Sequence, residues 1–134
     1  MRYMYWMNLK KKELQYSGAH RPLYLLRNGE LIEYKGNRKA IGGIPHRKKP
    51  EKDFINHSIE IIKGDKIFIF SDGMPDQIGG PEGRKYSPQR IRSQIVENKD
   101  LSMQQYSSMF ASEFKKWKGK TKQIDDVLLI GLEF

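Results

Sequence analysis

Cysteine is absent from the 134 residues, which excludes disulfides, thiolate metal sites and a cysteine nucleophile and leaves carboxylate, histidine and hydroxyl chemistry. A metal bound by such a chain sits mainly in oxygen ligands. Long apolar runs are missing too, since no segment approaches the roughly 18 to 20 consecutive apolar residues of a membrane span. The opening stretch MRYMYWMNLKKK has its charges on the wrong side for a secretory signal, so a cytoplasmic location without membrane contact is expected. Acids are in the minority, 16 against 25 Lys and Arg, for a net charge of +9. The bases cluster at Lys10 to Lys12, Lys35 to Lys52, Arg84 to Arg92 and Lys115 to Lys122. Such a field attracts an acidic or phosphorylated partner. Nucleic-acid binding is disfavoured because no zinc-knuckle, RNP-type or recognition-helix motif accompanies the bases. IGGIP and IGGPEG lack the lysine-threonine or lysine-serine that a phosphate loop requires. His20, His46 and His57 lie in unrelated settings, which leaves no Ser-His-Asp arrangement to argue.

What is present is one domain's worth of chain with 37% hydrophobic residues, enough for a modest single core. The first third reads as strands: Tyr3 to Met7 and Leu14 to Ser17 form a hairpin, and Leu23 to Leu26 and Leu31 to Tyr34 form another around Asn28-Gly29, the strongest local hairpin signal. Residues 35–53 read as a basic loop. Strands follow at Phe54 to Ile62 and at Lys66 to Ser71, where the unbroken IFIF predicts burial on both faces. Ser87-Pro88 predicts an N-cap with proline at the first helical position, and Ile91, Ile95 and Val96 give that helix its apolar stripe. A second helix starts at Ser102 with a capping box closed by Gln105 and stops at Gly119. It carries Met103, Tyr106, Met109, Phe110, Phe114 and Trp117 on one face as core packing. Val127 to Phe134 closes the chain as a strand. The order predicts a mainly antiparallel α+β layered domain.

The sequence FSDGMPDQIGG places Asp72 and Asp76 just beyond the central strand, and Asp125-Asp126 just before the last one. If those two strands pair antiparallel, both acid pairs arrive at one edge of the sheet. Carboxylates brought together there repel, which raises a pKa or calls for a cation between them. A hard divalent ion, Mg²⁺ or Mn²⁺, suits an all-oxygen site. Gly73 allows a tight bend, and Asp76 lies one turn further on, within reach of a metal-bound water. The competing structural reading makes Asp72 and Asp76 an Asx-turn and Asp125 and Asp126 acids that start a strand.

The motifs LQYSGAHRPLYLLRNGEL, AIGGIP, IIKGDKIFIFSDGMPDQIGGPEGRKY and WKGKTKQIDDVLLIGL resemble, in order, the C-terminal part of SpoIIE-type serine phosphatases of the metal-dependent, protein phosphatase 2C-like superfamily. The resemblance runs from about Tyr3 to Phe134. It implies a β-sandwich with flanking helices and a two-metal site at one end, where activated water attacks phosphoserine or phosphothreonine directly. Matched position by position, Asp72 and Asp125 correspond to metal ligands, with Asp76, Gly73 and Asp126 in supporting or water-mediated positions. His20 corresponds to a structural hydrogen-bonding position. In the family the bridging Asp-Gly motif, the first strands and two central helices precede the matched region. Residues 1–134 are therefore expected to be the C-terminal part of a phosphatase domain, with weak metal binding and little or no hydrolysis alone. The resemblance further implies a phosphorylated regulatory protein of the anti-sigma-antagonist kind as partner, and room for an upstream sensor domain. Incomplete sheets imply self-association through exposed edges. The alternative function is a non-catalytic protein-binding module, a pseudo-phosphatase remnant.

Overall fold

Strand pairing can be followed through residues 3–8, 12–42 and 53–134, which the computed structural model describes, the first group as backbone alone. His46 and most of the basic loop lie outside the described residues. β1 (Tyr3–Asn8) and β2 (Glu13–Gly18) form the first hairpin, and β5 (His57–Glu60) lies antiparallel on the other side of β2, with Leu14 opposite Ile59. β3 (Leu23–Arg27) and β4 (Glu30–Tyr34) are joined by Asn28 and Gly29 at φ of 51° and 80°, the left-handed pair a two-residue hairpin of this twist requires. β3 also pairs with β6 (Lys66–Phe70), and β6 with β9 (Leu129–Glu133). The result is a three-stranded sheet ordered β1-β2-β5 and a four-stranded sheet ordered β4-β3-β6-β9.

Side-chain alternation divides the core between the two faces of the larger sheet. Leu23, Leu25, Ile67 and Ile69 pack with Leu14, Tyr16 and Ile59 of the smaller sheet and with Ile61 just beyond it, which makes the sandwich. Tyr24, Leu26, Phe68 and Phe70 point the other way, toward α2 (Pro88–Glu97) and α3 (Met103–Lys118). Every residue of β6 is buried, as the IFIF run predicts. Ser87 accepts from the Arg90 N–H ahead of Pro88, and Ser102 and Gln105 close the capping box reciprocally. Val96 departs from expectation: it is exposed while Ile91 and Ile95 are fully buried, because two residues per helical repeat suffice to cover this part of the sheet. β5 and β9 are shorter than the apolar runs that predict them. α1 (Gly73–Asp76), β7 (Ile78–Gly79) and β8 (Arg84–Lys85) are too short to leave a periodic signal. Among the described residues no helix is long and apolar enough to cross a membrane.

β9 is an edge strand, and the core is uncovered on both sides of it. On the helix side a groove of about 330 Å³ runs between α3 and β9, lined by Phe68, Met74, Phe110, Phe114, Val127 and Leu129. On the sandwich side a smaller apolar opening lies among Leu14, Tyr16, Ile69, Ile130 and Leu132.

The end of the sandwich away from the Asp72 turn is fastened by Arg27 and Asp65. Arg27 Nε donates to one carboxylate oxygen at 2.8 Å and a terminal nitrogen to the other at 2.6 Å, while the Ile62 N–H donates to the same carboxylate at 2.9 Å. Asp65 is 1% exposed. Burial pushes its carboxyl up, but the Arg27 and Ile62 hydrogen bonds and the guanidinium charge outweigh this and hold it below the ordinary carboxylate range. Its backbone carbonyl accepts from Phe134, so the same residue fixes the end of β9. Arg27→Ala strands a buried charge and is expected to cost about 3–5 kcal/mol in denaturant unfolding. Asp65→Asn, which leaves the half-exposed guanidinium in water's reach, is expected to cost about 1–3 kcal/mol. Because the folded-state pKa of Asp65 is depressed, its contribution is full above the unfolded carboxyl value of about 4 and is lost as pH falls through the folded value. The stability gap between parent and Asp65→Asn should therefore narrow in acid.

Candidate metal centre

Beyond the last β6–β9 pair, Phe70 with Leu129, the two chains stay joined. Ser71 N–H donates to the Leu128 carbonyl at 2.8 Å, its hydroxyl donates to the Asp126 carbonyl at 2.9 Å, and Leu128 N–H donates back to that hydroxyl at 2.9 Å. The next residue but one, Gly73, lies against the same Asp126 carbonyl, so closely that a Cβ there would overlap it. The Asp72 turn and the Asp125-Asp126 loop thus meet at one corner of the sheet, as antiparallel pairing of the two strands predicts.

A second set of contacts holds this corner from the side. Gln77, fully buried, donates through its side-chain amide to the Lys122 carbonyl at 3.1 Å, and its backbone carbonyl accepts from the Trp117 indole N–H at 3.1 Å. Gly80 N–H donates to the Trp117 carbonyl at 2.9 Å. Arg90 stacks its guanidinium 4.2 Å from the Trp117 ring centroid, and Tyr86 meets that ring edge-on. The segment after Asp76 and the segment before Asp125 are both bound to the end of α3.

The acids differ in what occupies them. Asp72 stands at the N-cap of the single-turn α1, yet its side chain makes no cap hydrogen bond. The Asx-turn reading is therefore not what forms at this residue. Its carboxylate accepts instead from Arg21 at 2.6 Å, and both side chains are partly exposed. Asp76 pairs with Lys85 at 3.0 Å across the small β7–β8 hairpin. Asp125 accepts from the N–H of Asp126 at 2.7 Å, and the Asp125-Asp126 pair is exposed. His20 contributes through its backbone: at φ 64° its N–H donates to the Asn37 carbonyl at 2.7 Å, and its side chain is exposed. His57 is structural, its ring bonded to the Lys35 carbonyl and stacked on Tyr16.

Carboxylates are the ligand type that a hard divalent ion prefers, but what meets at this corner is backbone: Asp72 and Asp76 are paired with Arg21 and Lys85, and Asp125 and Asp126 are exposed. Among the described residues no three His, Cys, Asp or Glu side chains gather in a group that could hold a metal ion. Arg21 is the residue that sequence reasoning passed over. It lies 51 positions from Asp72, and its only sequence signal is its place inside the GAHRP turn.

The sequence profile of Stage II sporulation protein E (SpoIIE) matches residues 3–134. No curated protein sequence matches at a significant level. Among solved structures, the SiaA-PP2C domain of Pseudomonas aeruginosa superposes with a TM-score of 0.82 at 24% identity, over 97% of this chain and 49% of that one. The Mn-presoaked phosphatase domain of SpoIIE from Bacillus subtilis gives 0.70 at 15% identity, over 98% and 55%. The SpoIIE structure that joins the PP2C phosphatase domain to a fragment of its regulatory domain gives 0.72 at 14% identity, over 98% and 37%. The chain thus spans about half the length of the solved domain it superposes on at 0.82. A match over almost every residue means that the chain belongs to the SpoIIE family, and its sandwich with helices against one sheet has the fold of the PP2C domains it superposes on.

Proposed function

We propose that this chain is the C-terminal part of a Mn²⁺- or Mg²⁺-dependent serine/threonine protein phosphatase domain that acts in the cytoplasm on a phosphorylated regulatory protein. The observation that carries the reading is the corner itself. Ser71 and Gly73 bind the Asp72 turn to the Asp126 backbone, while the Asp72 carboxylate is left out of the local capping that would otherwise explain it. Asp72 and Asp125 are the proposed metal ligands, and Asp76, Gly73 and Asp126 support them. A divalent ion bound there supplies a nucleophilic water and neutralises charge on the phosphoryl group. Ser71, Gly73 and Gln77 bring together the turns that carry the acids. The basic surface suits an acidic or phosphorylated partner such as an anti-sigma-antagonist. The proposed ligand set is completed by residues outside this region of the family fold, and an upstream sensor domain in the whole protein is compatible with the reading.

Calorimetric titration with Mn²⁺ is expected to show weak binding to the 134-residue chain and none to Asp72→Ala, with phosphopeptide hydrolysis by the chain alone at background. Mn²⁺ binding that is equal in the two proteins would remove the metal reading. One observation favours the second reading, a non-catalytic protein-binding module: Asp72 already has a cationic partner in Arg21. Binding of a phosphorylated regulatory protein that is unchanged by chelator would support it.

The open flanks of β9 carry the proposal about assembly. An edge strand with uncovered apolar side chains on both faces is where further secondary structure docks. We assign that place to the remainder of the domain, and to a second copy when the remainder is missing. Light scattering at micromolar concentration is expected to give the chain a mass above its 15.8 kDa monomer, and Leu132→Lys is expected to shift it toward monomer. A parent that is monomeric throughout would end the idea.

A further inference from the structure

We propose that the hollow between the tip of the β7–β8 hairpin and the end of α3 is a docking site for an acidic peptide segment of the partner protein. The proposal gives the acidic partner of the reading above a place on the molecule, and it calls on no metal.

Two of the basic clusters of the sequence meet there. Arg90 comes from α2, and Lys116, Lys118 and Lys120 come from the end of α3 and the turn beyond it. They line a cavity of about 520 Å³ together with Gly80, Trp117 and a single acid, Glu113. That volume falls in the range of about 300–1,000 Å³ that accommodates a ligand. The walls are set by the fold. A Cβ at Gly80 would overlap the Trp117 ring, so the hairpin lies directly against the helix. α3 stops at Gly119, whose φ of 52° reverses the chain, and the Thr121 N–H donates to the Lys118 carbonyl at 2.9 Å to close the turn that carries Lys120.

What these cations lack is a counter-charge. Arg84, Lys85 and Arg92, from the same stretch of sequence as Arg90, are paired with Glu82, Asp76 and Glu33. Among the described residues Arg90, Lys116, Lys118 and Lys120 enter no ion pair. Arg90 is held over the Trp117 ring at 4.2 Å, a contact that places a guanidinium without neutralising it. The helix dipoles account for only part of the arrangement. Lys116 and Lys118 sit in the last turn of α3, where cations are favoured. Lys120 lies beyond that helix, and Arg90 stands in the first turn of α2, at the end where a cation is disfavoured. Like charges gathered around one cavity repel, and an anion that enters it relieves them.

The spread of the charges selects the kind of anion. Lys116 and Lys118 are two positions apart on a helix, so they do not face each other, and Lys120 extends the row past the helix end. A run of carboxylates on a peptide matches such a row better than one compact anion does. A nucleobase finds little to stack on, because Arg90, Gly80 and Tyr86 already engage the Trp117 ring.

The test is calorimetric titration of a hexaglutamate peptide, with chelator present throughout, into the parent chain and three double variants. Lys116→Gln with Lys120→Gln removes two charges from the cavity, and Lys116→Arg with Lys120→Arg keeps them. Lys12→Gln with Lys63→Gln removes two charges from the turn before β2 and the turn before β6. All four lysines are exposed, so the fold is retained. The cavity glutamines are expected to weaken the peptide about tenfold, the arginines to hold it near the parent value, and the control pair to weaken it less than about twofold. No measurable binding to the parent would overturn the proposal. Equal weakening by the cavity and control glutamines would do the same, because binding would then follow net charge alone. A single-stranded oligonucleotide of equal charge that binds more tightly than the peptide, and loses affinity in the cavity variant, would overturn the assignment to an acidic peptide. Because chelator is present, failure here and failure of the Mn²⁺ site read out separately.

Discussion

Antiparallel pairing between β6 and β9 ties the core to the candidate site, because β6 is buried on both faces and can neither slip nor turn over without moving apolar side chains into water. The register places Ile67 and Ile69 in the sandwich and Phe68 and Phe70 under the helices, so the strand leaves the sheet at one fixed height and direction. Asp72 inherits that position, and β9 brings Asp126 to meet it through the hydrogen bonds of Ser71. At the opposite end, Asp65 holds both the start of β6 and the close of β9. The polar corner that the proposed chemistry uses is thus a consequence of how an apolar strand is buried.

Electrostatics works against a cation and for an anion over most of this molecule. With 25 basic and 16 acidic residues the general field repels a divalent ion. The acids nearest the corner have local cations of their own, Arg21 for Asp72 and Lys85 for Asp76. Affinity for metal therefore has to come from several carboxylates acting together. The same surplus of positive charge lowers the free energy of a phosphorylated partner approaching the domain, so the two ligands of the proposed reaction meet opposite electrostatic conditions at one site.

Features written within a few neighbouring residues were legible in the sequence. Asn28-Gly29 encodes a turn in its own backbone, Ser87-Pro88 and Ser102 with Gln105 encode helix starts, and IFIF encodes a strand covered on both sides. The meeting of Asp72 with Asp126 was legible once antiparallel pairing was assumed, because pairing converts two sequence positions into one place. Contacts that depend on side chains crossing the fold were not legible. Arg27 finds Asp65 across 38 positions and Arg21 finds Asp72 across 51, and no local pattern separates these arginines from their solvated neighbours. Val96 illustrates the reverse limit: it fits a helical apolar stripe, but how wide a stripe the sheet covers is decided by the layer beneath it.

Gln77 and the end of α3 add a consequence of a different kind. With its side-chain amide on the Lys122 carbonyl and its backbone carbonyl on the Trp117 indole, Gln77 splints the segment that leaves Asp76 to the segment that leads into Asp125. The acid-bearing turns are thereby parts of one braced frame, and the loss of conformational freedom that would accompany their meeting is already incurred when the domain folds. Recognition at such a corner has little ordering entropy left to lose. A ligand taken up there would meet turns already held by the fold rather than segments that must order on binding.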